Sequence, residues 1–357
     1  MKSKNLDVQF FKFLYSCIIV IYHLAASTRI ICPGGYYGVE YFLLTSGLFL
    51  FLSYDKMADS NKLMPPQQFF AKRFWRFLPW SITAFALTVL VCRLYIDRVT
   101  SISEWINLLP SDLLEIIMAK GTGINANQYL INGPAWTISS ILIIGTLFWI
   151  LLYYYRNVFI RIILPFSLLL GFGLWAHLPS ANTEGWIGFT TFGTFRTWII
   201  FGLSYYCLLL GKKMSAIPFT RTGKCALTIV ELLVHAVALH YIFLHAQRPT
   251  QWMLIGLFMV SIAIAISGHS YFAYILNKIP VIDTLGELSF SIYLVHYPVV
   301  RIFGHLYNIG EWGYKRLFII GIAIMIVSLI HYYGTKLLLK GWRAMVGRVK
   351  KVCIADT

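Results

Sequence analysis

The sequence predicts an all-α, polytopic membrane bundle of about ten transmembrane helices with both termini in the cytoplasm. Three observations carry that expectation. The 357 residues are 58% hydrophobic and only 12% charged, about half the charged share of a soluble domain. The mean hydropathy is +0.70. Windows near the roughly 20 residues needed to cross a bilayer recur along the whole chain: 8–26, 36–54, 80–97, 135–155, 157–177, 191–211, 224–246, 251–274, 286–307 and 315–340. No long linker, internal repeat or low-complexity tract separates them, so residues 1–357 read as one domain.

Charge sets the orientation. With the N-terminus inside, 19 of the 30 Lys and Arg fall in inner segments, and six (Arg29, Arg98, Lys120, Arg248, Lys315 and Arg316) in outer ones. That excess supports an even number of crossings. The net charge of +16 therefore reads as orientation and contact with anionic headgroups; nothing else supports nucleic-acid binding. The six cysteines lack CxxC spacing, so neither a metal site nor a disulfide framework is expected. Lys2, Lys4 and the Leu24-Ala25-Ala26-Ser27 stretch imitate a cleavable leader. Asp7, Lys12 and His23 are poor leader residues, and the first helix is retained.

The first span carries Lys12 and His23. Eleven residues place them about 20° apart on one helical face and roughly 16 Å apart along it. Charged and titratable side chains are rare inside apolar helices unless they work. The second span opens Gly38-Val39-Glu40-Tyr41-Phe42 and continues to Ser46-Gly47. Antiparallel packing would set Glu40 at the depth of His23, where a carboxylate orients an imidazole for general-base chemistry. The plainer alternative is a structural hydrogen-bonded pair.

Next comes Phe69 to Pro79, with Arg73 and Arg76 on one face and Pro79 expected to turn the chain into the third span. Arginine forks suit phosphates; lipid phosphate is the plainer partner. The outer loop 98–134 holds a candidate interfacial helix at 103–119 and closes on Asn132-Gly133-Pro134-Ala135-Trp136. Arg196, near the outer end of the sixth span, could meet substrate or a carboxylate such as Glu40. Glu231 and His235 share a face of the seventh span and read best as a structural interhelical pair. Ser289, Tyr293 and His296 form one stripe on the ninth span, lining a channel or joining helices, with Pro298 a candidate kink.

In this order, Lys12 with His23, the Gly38-to-Gly47 block, Arg73-x-x-Arg76 before Pro79, and Ser289 to Pro298 make the chain resemble the acyltransferase-3 family of integral-membrane acyltransferases along its full length. The resemblance implies transfer of an acetyl or other short acyl group from acyl-CoA to a hydroxyl of a cell-surface polysaccharide, in a bacterial cytoplasmic membrane. It implies His23 as the essential histidine and Glu40 as the characteristic acid. Lys12, Arg73 and Arg76 would hold the donor, acetyl-CoA or another acyl-CoA. Arg196, Trp136, Tyr293 and His296 would face the carbohydrate acceptor, with the segment from Asn125 to Trp136 above. No metal is expected; the partners would be the acceptor, the bilayer and polysaccharide-assembly proteins. Two positions depart from the family pattern: Lys12 stands where many members have arginine, and Ile141, five residues after Trp136, where many have glutamate. The chain ends without the hydrolase-like domain fused to some members, so it is expected to act alone or with a separate partner. The rival functions are a flippase for a lipid-linked sugar, which usually shows inverted repeats, and a non-catalytic partner of a polysaccharide-assembly complex.

Overall fold

The computed structural model describes residues 5–25, 32–119, 131–177, 185–188, 190–244, 248–307 and 313–355. The acceptor segment expected at 125–130, Arg29 and Lys120 of the outer loops and the Ala26-Ser27 bond lie outside the described residues. The chain is all-α: α1 Leu6–Ala25, α2 Gly38–Asp59, α3 Pro66–Thr88, α4 Ile102–Ile116, α5 Trp136–Val158, α6 Leu164–Ala176, α7 Phe192–Ser215, α8 Arg221–Leu244, α9 Arg248–Ser267, α10 Tyr271–Leu276, α11 Ile282–Leu306 and α12 Tyr314–Ala355. The one extended element among the described residues is a two-strand ladder pairing Trp186–Ile187 with Thr190–Thr191.

Among the described residues, five stretches are long and apolar enough to cross a membrane: Leu6–Leu24, Pro66–Ile96, Gly133–Ala176, Arg221–Leu244 and Lys315–Gly341. The 44 residues of Gly133–Ala176 would extend about 66 Å if straight, twice a bilayer core. Instead they fold back. Tyr155 leaves helical geometry at φ −134°, and a π-helical turn follows at Phe159–Ile163. Ser140, near the start of α5, meets Thr194 at 3.1 Å. Trp175, at the end of α6, meets Phe192 with ring centroids 5.9 Å apart. Both ends of the pair thus reach the start of α7, so α5 and α6 are antiparallel. The helices α2, α7 and α11, of 22, 24 and 25 residues, are also long enough to cross but carry buried polar groups such as Glu40, Arg196 and His296.

Two boundaries differ from expectation. Pro79 does not turn the chain: α3 starts at Pro66, a favoured first helical residue, and runs through Pro79. The eighth span stops early, because Gly268 takes φ +70°, a conformation that glycine adopts without a Cβ penalty. Ser270 then caps α10 by accepting from the Phe272 amide at 3.1 Å.

The main core lies between α1, α2, α5, α7 and α9, around Tyr15, Tyr41, Phe148, Phe201 and Phe258. Apolar side chains on α6, α8 and α12, such as Leu169, Leu233 and Phe318, point outward instead. That is the inversion expected where the solvent is lipid. Helix α4 shows it most sharply. Ile102, Ile106, Leu109 and Leu113 form its exposed stripe, while Asp112 and Glu115 are buried beneath. The Glu115 carboxylate accepts from the amides of Ile131 and Asn132, both at 2.9 Å. Asp112 faces Arg93 at 3.5 Å.

Candidate active site

Helices α1 and α11 build the site between them. Gly286 faces Gln9 near the start of each helix, and a Cβ at Gly286 would overlap the Gln9 side chain. Farther along both helices His296 faces His23, ring centroids 5.0 Å apart. The two helices therefore run parallel, and the missing side chain at position 286 lets their backbones approach. Glu287, the next residue, is thereby brought to the cavity that Lys12 lines.

That cavity holds about 600 Å³. Its basic wall is Lys12 from α1 with Arg73 and Arg76 from α3, so the structure brings the three expected donor-binding cations together. None has an ion-pair partner among the described residues, and the Arg73 Nη1 atom is buried without a hydrogen-bond partner. The Arg73 guanidinium lies over the Phe69 ring at 5.2 Å and against Gly145 of α5, where any Cβ would collide with it. Three cations beside a hollow, none of them in a direct ion pair among the described residues, form a site for an anion. Arginine is the side chain whose planar fork best matches phosphate.

Sequence reasoning missed the opposite wall. Asp283 and Glu287 of α11 and Tyr332 and Lys336 of α12 also line the cavity. Glu287 accepts from Lys336 at 2.6 Å and from Tyr332 at 2.5 Å, and Lys336 also donates to Tyr332. Only the i, i+4 spacing of Tyr332 and Lys336 hinted at this cluster. The deep end is apolar, formed by Phe42, Ile138, Ile141 and Tyr293. Tyr293 donates to the Pro134 carbonyl at 3.0 Å and accepts from Thr137 at 3.0 Å.

Beyond Tyr293 the rings continue without lining the cavity: Tyr293 to His296 at 5.9 Å, then His296 to His23 at 5.0 Å. His296 Nδ1 lies 3.1 Å from the Ile292 carbonyl. A carbonyl only accepts, so Nδ1 carries the hydrogen and Nε2 presents a bare lone pair. Nε2 is buried without a partner.

The expected pairing of His23 with Glu40 is corrected. The fully buried Glu40 carboxylate instead faces Arg196 Nε at 3.4 Å and accepts from Gln251 Nε2 at 3.2 Å. Arg196 in turn lies over the Trp136 ring at 5.1 Å. Similar depth allowed either partner. The guanidinium wins because a buried carboxylate needs a cation, which a neutral imidazole is not. Arg196 and Trp136, expected at the acceptor, are buried in this knot and do not line the cavity. Gln251 carried no signal in the sequence.

Asn132 ties the loop before α5 to this end of the site. Pro298 has no N–H to offer the Leu294 carbonyl, and Asn132 Nδ2 donates to that oxygen at 2.9 Å. The helix continues through Pro298. His235 takes a structural place, bridging Tyr15 at 2.8 Å and Ser261 at 2.6 Å.

No curated protein and no solved structure matches the chain significantly. The family model described as an acyltransferase domain, that of the acyltransferase-3 family, matches residues 5–333, a span that includes the ring series and every lining residue of the cavity but Lys336. The chain belongs to the acyltransferase-3 family of membrane acyltransferases.

Proposed function

We propose that the protein transfers an acetyl or other short acyl group from acyl-CoA, entering from the cytoplasm, to a hydroxyl of a cell-surface carbohydrate in a bacterial cytoplasmic membrane. The observation that carries this reading is the cavity itself, with three unpaired cations at one end and an apolar end closed by Tyr293. Lys12, Arg73 and Arg76 bind the phosphates of the donor. Its extended pantetheine arm runs along the apolar wall of Phe42, Ile138 and Ile141, bringing the thioester towards the histidines.

His23 takes the proton of the acceptor hydroxyl on an imidazole nitrogen. The oxygen attacks the thioester carbonyl, the carbon–sulfur bond breaks, and the proton passes from His23 to the departing thiolate. The products are an ester and free coenzyme A. The bare Nε2 of His296 is the nearest candidate to hold His23 in one tautomer, in the place first expected of Glu40. Glu40, paired with Arg196, shapes the helices around the site instead.

Purified protein given radiolabelled acetyl-CoA and surface glycan tests the reading. Label enters the glycan, and His23→Ala lowers transfer by about 10²–10⁴-fold while the thermal melt is unchanged. Undiminished transfer by His23→Ala overturns the assignment. Sugar translocation without label transfer replaces it with the flippase reading.

A further inference from the structure

We infer that the bundle holds a second site, for a small monovalent cation, between Asp7 of α1, Glu231 of α8 and the hydroxyl of Tyr41. The inference is independent of the acyl-transfer reading and uses none of its residues. The Phe11 and His235 rings stack with centroids 3.3 Å apart. Helices α1 and α8 run parallel, because Gly34, beyond the end of α1, donates to the Ile242 carbonyl near the end of α8 at 2.9 Å. One turn back from the stacked rings on each helix stand Asp7 and Glu231, which therefore share one level. Phe272 packs on Phe11 at 5.5 Å, and Ser270, two residues before it, donates to Glu231 Oε2 at 2.5 Å.

The remaining oxygens have nothing to bind. Asp7 Oδ2, Glu231 Oε1 and the Tyr41 hydroxyl are all buried and, among the described residues, without hydrogen-bond partners. Each is thus farther than a hydrogen bond from the others. Yet the Tyr41 hydroxyl lies within electrostatic range of both carboxylates, and the carboxylates lie within range of each other. Buried oxygens that face no donor are satisfied when they share one cation.

Charge and the number of donors say which kind. No Lys or Arg pairs with Asp7 or Glu231 among the described residues, and both nitrogens of His235 are engaged by hydroxyls. Two buried carboxylates without a cation are strongly unfavourable. Asp7 sits in the first turn of α1, where the helix end supplies roughly half a positive charge; its Oδ1 also accepts from the Val8 amide at 2.8 Å. A single added charge then leaves about half a negative charge and a divalent ion about half a positive one, so the donor count decides: three protein oxygens fall short of the six to eight that calcium takes, and magnesium keeps waters that a buried site does not supply. The donors are all oxygen, as hard cations prefer. No cluster of three His, Cys, Asp or Glu exists among the described residues, which argues against a transition metal.

The full chain in lipid nanodiscs, melted at constant pH and ionic strength, tests this. In sodium or potassium chloride the melting temperature rises saturably above its value in N-methylglucamine chloride, whose cation is too large for the gap. Asp7→Asn and Glu231→Gln abolish the rise. The double variant, freed of carboxylate repulsion, melts in N-methylglucamine chloride at or above the parent chain. Asp55→Asn, at the carboxylate that pairs with Lys212, keeps the response. Equal melting in every salt, a response to magnesium or calcium alone, a response to pH alone, or one that survives in the double variant overturns the proposal. Should the variants not fold, equilibrium binding of ²²Na⁺ and ⁸⁶Rb⁺ to the parent chain decides: saturable binding of one ion per chain supports the site, and binding of neither overturns it.

Discussion

Arg73 and Arg196 are both arginines inside the bundle, and they are held in opposite ways. Arg196 has a carboxylate on one side, Glu40 at 3.4 Å, and an aromatic face on the other, Trp136 at 5.1 Å. Arg73 has the Phe69 ring and a glycine, with no carboxylate in ion-pair range among the described residues, beside a cavity of about 600 Å³. A cation that burial has already matched with an anion is spent on the fold. One left unmatched beside a cavity is available to a ligand. These two buried arginines thus divide by partner, not by depth or residue type.

The sharpest way to break this comparison is to delete each guanidinium. Arg196→Met leaves Glu40 buried and uncompensated and should cost about 3–5 kcal/mol, read by thermal or denaturant unfolding in nanodiscs. Adding Glu40→Gln should recover most of that loss. A single variant as stable as the parent would remove Arg196 from the structural class. Arg73→Met should barely move the melt but weaken donor binding by about 10–100-fold, the worth of a charge-assisted hydrogen bond, seen by calorimetric titration of coenzyme A. A loss of stability equal to that of Arg196→Met would make both arginines structural.

A neutral group extends the contrast at smaller scale. Asn132→Ala leaves the Leu294 carbonyl, released by Pro298, without a donor, and should destabilise by about 1–3 kcal/mol. Pro298→Ala, by restoring an N–H, should lessen that loss. The weakest expected effect is Lys336→Ala. Lys336 and Glu287 are 47% and 54% exposed, and such pairs contribute about 0–1 kcal/mol. A larger change in melting would show that the mouth of the cavity supports the fold as well as the ligand.

The sequence made visible what repeats or clusters along one helix. The hydrophobic windows marked the elements, and the spacing of Lys12 and His23, and of Arg73 and Arg76, put each pair on one face. What crosses between helices was not visible. Glu40 and His23 matched in depth, but which helix supplies a carboxylate's partner is a matter of packing, and Arg196 is 156 residues further along the chain. The Glu287–Tyr332–Lys336 cluster was hidden for the same reason. The fold-back after α5 was legible only as two windows meeting at Arg156; its cause, the non-helical Tyr155 and the wide turn after it, falls on residues that include no proline or glycine, and Pro165 follows only in the first turn of α6. Pro79 misled because proline's usual role as a breaker was read without the tertiary contacts that let α3 continue through it.

The parallel pairing of α1 with α11 also governs how the molecule is made. Gln9 meets Gly286 and His23 meets His296, so contacts at the earliest helix wait for one that leaves the ribosome some 260 residues later. Until then Lys12 and His23 have no α11 to shield them from lipid. The centre therefore matures late in biosynthesis, and a chain stalled before Ile282 would be inserted in the membrane yet catalytically empty.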